Sequence, residues 1–221
     1  MDPAFEDADP YRFVGGGWLA RRWRALAVFD LSNTWRVDAT AEELVDILAD
    51  PKSFELWWRS VFLRVEVLRE PERGHVGRVC RYLTKGFMPH TFQFMTRIER
   101  ADPGYMLVSA RGDFVGTACF RTFAEDGGHR IEIRWRIVCE KPVLRALSVL
   151  IKPLLVANHR YTQRRGRQGL TWEVMRRRGA ALPALPPEAM FPHNLDAVRR
   201  LYRWKNSVAD WPDRDVPPKI G

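Results

Sequence analysis

Polar side chains interrupt an apolar stretch near residue 158, and they are the first candidates for chemistry in this sequence. Within Ser148–Gln163, SVLIKPLLVANHRYTQ, apolar residues repeat at helical spacing until Asn158, and His159 follows directly. At roughly 100° per residue, Asn158, Thr162 and Arg165 continue the apolar stripe. Burying an amide without a partner costs on the order of 1–3 kcal/mol. The pattern therefore predicts that Asn158 meets a polar group of the protein, a water molecule or a ligand.

These polar residues suit two kinds of activity. Tyr82, Asn158, His159 and Arg165 are the available members of a proton relay, which an enzyme catalysing a cyclisation or a dehydration would need. The same groups would equally bind the polar part of an otherwise apolar ligand. No local motif assigns a catalytic role to any of them, so no catalytic residue is predicted.

Motifs for metal, cofactor and nucleophile chemistry are missing from the sequence. The five histidines show no HExxH or other ligand spacing, and the three cysteines form no CxxC pair. There is no GxSxG elbow, and GGGWL at residues 15–19 lacks the Gly-Lys-Ser/Thr ending of a phosphate loop. We therefore predict neither a metal nor a cofactor.

Positive charge is concentrated after residue 160. The formal net charge is +9, and seven arginines fall between positions 160 and 178, where Glu173 is the only acidic residue. Such a cluster suits an anionic membrane surface, an acidic ligand or nucleic acid, or simply a solvated helix end whose cations complement the helix dipole. No recognised nucleic-acid module accompanies it, so nucleic acid ranks last among these partners.

Several features predict a cytoplasmic protein. The first residues, MDPAFEDADPYRF, are acidic and lack the apolar segment of a signal peptide. The longest apolar run, from residue 143 to 157, is broken by Arg145, Lys152 and Pro153 and is too short to span a bilayer. An odd number of cysteines without framework spacing agrees with a reducing compartment.

Hydrophobic periodicity predicts the elements that must position these residues. NTWRVDA predicts a first strand, and six later segments from residue 61 onward alternate with period two between turn sequences, as in an antiparallel sheet. Thr40 and Glu43 form a capping box for a helix over Ala41–Ala49, and SFELWW predicts a second short helix. After Pro142 the helical period runs to about Met175, which predicts one long amphipathic helix over the sheet.

This order of elements resembles the helix-grip fold of the SRPBCC superfamily, which includes START-related lipid-transfer domains and polyketide cyclase/dehydrase proteins. The resemblance is carried by WRVDATAEELVDILADPKSFELWW, RIEIRWRIVCEKPVLRALS and the helix end GLTWEVMRRR, and it covers about residues 33–178. It implies an α+β fold in which a curved antiparallel sheet of about seven strands wraps on a long C-terminal helix, with two short helices after strand 1. It also implies a deep apolar cavity that holds lipids, polyketides, hormones or other hydrophobic molecules.

The residues that would face such a cavity follow from the phase of each element. Each aromatic residue among them has the alternative of filling the core, and Asn158 that of bonding a sheet side chain or an ordered water. A kink at Pro153 would turn His159 toward the cavity in place of Asn158. The predicted ligand-binding residues are Trp57, Trp58, Tyr82, Phe92, Phe94, Trp135, Ile151, Leu155, Asn158, His159, Thr162 and Arg165.

The resemblance divides the chain into three parts, with an extension on each side of the helix-grip domain at 33–178. In the N-terminal extension, 1–32, residues at Leu19–Leu26 form a short basic amphipathic helix that either docks on the domain or lies on a membrane surface. The C-terminal part, 179–221, begins as an extended Pro-rich linker, and Asn194 is predicted to cap a helix after it. That helix packs on the domain by default, or closes the cavity, or meets a partner.

Taken together, these observations predict a protein that binds a hydrophobic small molecule, a lipid or a polyketide-like compound, in an internal cavity. One alternative is a cyclase or dehydratase that uses scattered cavity polar groups without a metal. A further alternative is a lipid-handling protein at an anionic membrane surface.

Overall fold

A computed structural model gives the fold of the chain. It describes residues 28–71, 73–140, 142–205 and 211, and the side chains of all of these except residues 142–152. In these ranges the chain forms one seven-stranded sheet, a long helix and three shorter helices. The predicted amphipathic helix at Leu19–Leu26 lies outside the described residues.

The sheet is antiparallel and curved, and its strand order is β1-β7-β6-β5-β4-β3-β2. Each of the six alternating segments predicted after residue 61 is one of its strands, so the predicted sheet is confirmed. The inner face of the last strand is also as predicted, since Ile131, Ile133 and Ile137 are buried while Glu132 is exposed. The strands are β1 (Val28–Val37), β2 (Phe62–Arg69), β3 (Val79–Lys85), β4 (Thr91–Asp102), β5 (Tyr105–Gly112), β6 (Phe114–Glu125) and β7 (Gly128–Cys139).

The first strand begins earlier than its predicted start at residue 33. Val28 already pairs with Val138 of β7, and the register continues to Val37. Residues 28–32 keep the period of two, because Phe29 and Leu31 lie on the core side of the strand. The predicted N-terminal extension, 1–32, therefore includes the first part of β1.

Two short helices follow β1, as the sequence predicted. The capping box of α1 (Ala41–Leu48) is present: the Thr40 hydroxyl accepts the Glu43 N–H at 3.2 Å, and the Glu43 carboxylate accepts the Thr40 N–H at 2.8 Å. A short 3-10 turn then leads into α2 (Phe54–Trp57). This turn and helix bring Trp57 and the following Trp58 against the long helix.

The long helix, α3 (Pro142–Arg177), packs against these tryptophans through two glycines. A Cβ atom on Gly169 would lie 1.9 Å from the main-chain oxygen of Trp57, and one on Gly166 would lie 2.5 Å from the ring of Trp58. Glycine allows this close approach because it has no Cβ. The contact fixes both the distance of α3 from the sheet and its rotation about its own axis.

That rotation differs from the predicted stripe. Leu154, predicted to seal against the sheet, is 43% exposed, whereas its neighbour Leu155 faces the interior. Between Asn158 and Gly169 the helix carries few apolar side chains, so the apolar period defines its phase poorly there. The close contacts at Gly166 and Gly169 set the phase instead.

The C-terminal segment covers the outer face of β2, β3 and β4. Leu63 and Leu83 of that face pack with Ala189, Tyr202 and Trp204. The segment includes α4 (Asp196–Leu201), whose N-cap is Leu195 and not the predicted Asn194, because the chain enters the helix one residue later. Packing on its own domain was the default expectation for this segment, and the structure shows it.

Polar ties hold the C-terminal segment in place. Lys85 alternates with Leu83 on the outer face and is 2% exposed. Its Nζ donates to the main-chain oxygen of Met190 at 3.3 Å and lies 3.2 Å from Nδ1 of His193. Burial lowers the pKa of the Lys85 ammonium and of the His193 imidazole. These buried polar groups serve the attachment of the segment.

We expect Trp204→Ala to weaken this attachment measurably. The Trp204 ring lies between two guanidinium groups, at 4.3 Å from Arg64 and 4.6 Å from Arg81. Loss of two cation–π contacts and of the buried ring should lower the free energy of unfolding by about 2 kcal/mol. Urea unfolding followed by circular dichroism measures the change. Phe191→Ala is the matched control, since that ring is 75% exposed, and equal midpoints for the two variants would contradict the expectation.

The arginine cluster at the end of α3 is largely paired. Arg176 and Arg177 both bond Glu173, which is fully buried, and Arg177 also reaches Asp50 at 2.9 Å. Arg178 bonds Glu43 at 2.7 Å, and this bond lowers the pKa of Glu43 to about 2. The domain's own carboxylates thus neutralise part of the charge that suggested an anionic surface. None of the helices in the described ranges is both long and apolar enough to cross a membrane.

Candidate ligand-binding cavity

An apolar cavity lies between the inner face of the sheet and α3. The space between its walls is about 850 Å³, the open mouth included. Side chains from several strands meet there because alternate residues of a strand point to the same face of the sheet. The sheet side of the wall includes Phe29, Phe92, Phe94, Phe114, Trp135 and Ile137.

Aromatic rings form the densest part of this wall. The ring of Phe114 lies 4.4 Å from that of Phe92 and 5.5 Å from that of Phe94, measured between centroids. Trp58 borders the opposite side and packs on Phe62 at 5.0 Å. Apolar surface of this kind stabilises a bound apolar molecule by about 25 cal/mol for each Å² removed from water.

Asn158 borders the cavity and at the same time holds a loop of the protein. Its side chain is buried, and its Oδ1 accepts the main-chain N–H of Met88 at 3.2 Å. A Cβ atom on Gly86 would lie 2.1 Å from the same oxygen, so the loop after β3 fits closely around the amide. The partner of this buried amide is therefore a backbone group of the β3–β4 loop.

His159 also borders the cavity, next to Asn158 on α3. Its Nε2 lies 2.8 Å from Nδ2 of Asn33, and since an amide nitrogen only donates, the imidazole accepts this bond through Nε2. Burial lowers the pKa of His159 to about 4. The ring is therefore neutral at physiological pH and adds no charge to the cavity.

Thr162 is positioned one turn further along α3 and lies at the cavity wall. Its hydroxyl donates to the main-chain oxygen of His159 at 2.7 Å, and its own main-chain oxygen accepts the indole N–H of Trp58 at 3.0 Å. These bonds fix Trp58 against the helix, so the position of one wall of the cavity is set from α3.

A second, smaller chamber of about 580 Å³ adjoins the first. Tyr82 lines it, bonded through its hydroxyl to Thr96 at 3.0 Å, and stacks on Phe94 with 5.2 Å between ring centroids. Burial raises the pKa of this phenol well above its ordinary value. Tyr82 is thus inward-facing, but in a different chamber from Asn158 and His159.

Gln163 was not among the predicted site residues, and it borders both chambers. Only 6% of this residue is exposed, and its Oε1 has no hydrogen-bond partner within the described part of the chain. The sequence carried one signal for it: Gln163 precedes Gly166 by three positions, and Gly166 marks the packed side of the helix.

The structure places the remaining predicted residues as follows. Trp58, Phe92, Phe94, Trp135, Leu155, Asn158, His159 and Thr162 come together around the larger chamber. Trp57 is fully buried beneath Gly169, stacked on Trp58, and does not border either chamber. Arg165 lies at the surface, bonded to Gln168 at 3.2 Å and over the Tyr161 ring, because α3 is rotated from its predicted phase. Ile151 is outside the described side chains.

No cluster of three or more histidine, cysteine or acidic residues suited to a metal ion occurs among the residues described. The three cysteines, Cys80, Cys119 and Cys139, are buried thiols. Burial raises the pKa of Cys80 to about 12, so this thiol is protonated and unreactive at neutral pH.

Solved structures of known proteins share this architecture. The ZhuI aromatase/cyclase from Streptomyces sp. R1128 superposes with a TM-score of 0.53 at 16% identity, over 70% of this chain and 99% of its own. A START superfamily protein from Mycobacterium smegmatis gives 0.52 at 15% identity, over 66% and 97% of the two chains. This chain has the helix-grip fold of the SRPBCC superfamily.

The likeness is one of fold and not of sequence. A protein from Thermus thermophilus also superposes on the helix-grip domain, with a TM-score of 0.52 at 17% identity over 67% of this chain and 99% of its own. The sequence itself matches no protein-family model and no curated protein. In this helix-grip domain the cavity lies between sheet and long helix, where the resemblance predicted one.

Proposed function

We propose that this protein binds an apolar small molecule in the cavity between its sheet and α3. The single observation that carries the proposal is the chemistry of the larger chamber. Phenylalanine, tryptophan and aliphatic side chains form most of its wall, and its histidine is neutral. A pocket of this composition favours an uncharged ligand with a large apolar surface, such as a lipid or a polyketide-like ring system.

The hydrogen bonds of the polar groups support binding more than catalysis. Tyr82 is bonded to Thr96 in the smaller chamber, and the Nε2 lone pair of His159 is occupied by Asn33. The Oδ1 atom of Asn158 holds the backbone of Met88. A proton relay needs groups within hydrogen-bond reach of one substrate, and these groups are divided between two chambers and engaged elsewhere. Cyclisation or dehydration is therefore the second candidate, suggested by the fold shared with an aromatase/cyclase.

Filling the cavity from the helix side is expected to abolish binding. Leu155 borders the larger chamber, so Leu155→Trp should place an indole in the space that a ligand would take. N-phenyl-1-naphthylamine, an uncharged fluorescent probe, reports on the test by its emission during titration. We expect saturable binding to the wild type and at least roughly tenfold weaker binding to the variant, since a bulky group excludes the probe by overlap.

The neighbouring residue supplies the matched control. Leu154 lies on the same helix but is 43% exposed, so Leu154→Trp adds the same side chain outside the cavity and should leave probe affinity unchanged. Equal affinity in the wild type and in Leu155→Trp would show that the probe binds elsewhere. Absence of saturable probe binding to the wild type would count against the proposal itself.

A further inference from the structure

The two chambers form one bipartite site with a narrow junction. They share five lining residues, Trp58, Phe62, Phe94, Trp135 and Gln163. Four of these are aromatic, so Gln163 is the one hydrogen-bonding amide at the junction. A ligand that extends from the larger chamber toward the smaller one must pass this amide.

The amide of Gln163 is unsatisfied as it stands. Its Oε1 is buried and has no partner in the described part of the chain, and only 6% of the residue is exposed to solvent. A buried carbonyl oxygen without a donor is unfavourable, and native proteins pair the great majority of such groups. The nearby polar groups do not supply the donor, since Thr162 bonds the backbone of His159 and Tyr82 bonds Thr96.

We infer that the ligand carries a hydroxyl group that bonds Gln163 at the junction, with an aromatic or alicyclic body in the larger chamber. The inference rests on the proposed function and adds a substrate class to it: a hydroxylated apolar molecule in preference to a pure hydrocarbon. A hydroxyl suits this position because it donates to Oε1 and also accepts from the amide nitrogen, whichever way the amide is turned. Gln163 is then the specificity-determining residue of the site.

A pair of probes that differ in one group tests the inference. 4-Phenylphenol and 4-methylbiphenyl have nearly the same shape and apolar area, and only the first has a hydroxyl. Titration followed by quenching of tryptophan fluorescence should show about tenfold tighter binding of 4-phenylphenol to the wild type, the value of one buried hydrogen bond. In Gln163→Met, which keeps length but removes the amide, the ratio of the two affinities should fall to about one.

The controls separate this inference from the proposed function. Gln168→Met changes a glutamine on the exposed side of the same helix and should keep the wild-type ratio. Equal affinities for both probes in the wild type would overturn the role of Gln163 while leaving apolar binding intact, and this comparison does not depend on the variant folding. Failure of both probes to bind the wild type would overturn the inference together with the proposed function. Gln163→Met should also unfold at an equal or higher temperature than the wild type, because it removes an unsatisfied buried group.

Discussion

Gly169→Ala is expected to destabilise the protein by about 3 kcal/mol or more, although alanine is the better helix former. In an exposed helix interior the same exchange gains roughly 1 kcal/mol. Here a Cβ atom would lie 1.9 Å from the main-chain oxygen of Trp57 and 2.8 Å from its carbonyl carbon. Backbone atoms cannot rotate away as a side-chain end does, so α3 or the α2 turn must move as a whole. The sign of the effect is thus opposite to that predicted by helix propensity.

The expected displacement also affects the cavity. Trp58 follows Trp57, donates its indole N–H to the main chain of Thr162 and forms part of the wall of both chambers. Moving α3 away from Trp57 should therefore weaken probe binding as well as stability. Other helix-packing variants far from α2 would lower stability without this second effect.

Urea unfolding measured by circular dichroism checks the stability of Gly169→Ala. The matched control is Gln168→Ala, which places alanine at the adjacent exposed position of the same helix and should change the free energy of unfolding by no more than about 0.5 kcal/mol. If Gly169→Ala unfolded at the same urea concentration as this control, the close contact between α3 and Trp57 would not exist in solution.

The sheet was predictable from the sequence because its signals are local. Alternation in segments such as the one at residues 129–140 needs only the neighbouring residues, and the turns at Gly104 and Gly127 carry glycines whose positive φ is required by the turn. The capping box of α1 is equally local, since Thr40 and Glu43 are three residues apart. Each of these features forms in the predicted place.

The rotation of α3 and the identity of its inward polar groups were harder to predict, because both depend on contacts across the fold. Apolar period alone placed Arg165 inward, whereas packing of Gly166 and Gly169 on the tryptophans turns Gln163 inward instead. A glycine in a helix is usually interpreted as a weakness of that helix. In α3 the two glycines mark the face that touches its neighbour, and they are the best sequence signal for the phase.

The covered outer face of the sheet illustrates a second limit. The polar positions of β7 predict a solvated face, and this holds near Glu132. On β3 and β4, however, Val79, Leu83 and Met95 make the outer face apolar as well, and the C-terminal segment buries it. Strands that are apolar on both faces indicate a second covering layer, whose source along the chain is a tertiary property.

Acid is expected to destabilise the protein through His159, by roughly 3 kcal/mol between neutral pH and about pH 4. The ordinary pKa of histidine is about 6.5. Burial in the cavity wall lowers the pKa of His159 to about 4. Between these two values the unfolded chain binds a proton at this position and the folded chain does not, so the free energy of unfolding falls as the pH falls. The contribution is complete above about pH 6.5 and is lost once the pH has passed through about 4.

His159→Gln isolates this contribution, because glutamine offers an oxygen to the Asn33 amide in place of Nε2 but does not titrate. Other acid-sensitive groups, including His193, remain in both proteins. We therefore compare the difference in unfolding free energy between wild type and variant at several pH values, measured by urea titration. The wild type should lose up to roughly 3 kcal/mol relative to the variant as the pH falls from about 7.5 to 4. His75→Gln is the control for replacing a histidine outside the cavity, beside Asp46. Parallel pH curves for wild type and His159→Gln would show that the imidazole at position 159 is not buried, and the α3 orientation that directs it to the cavity would then be incorrect.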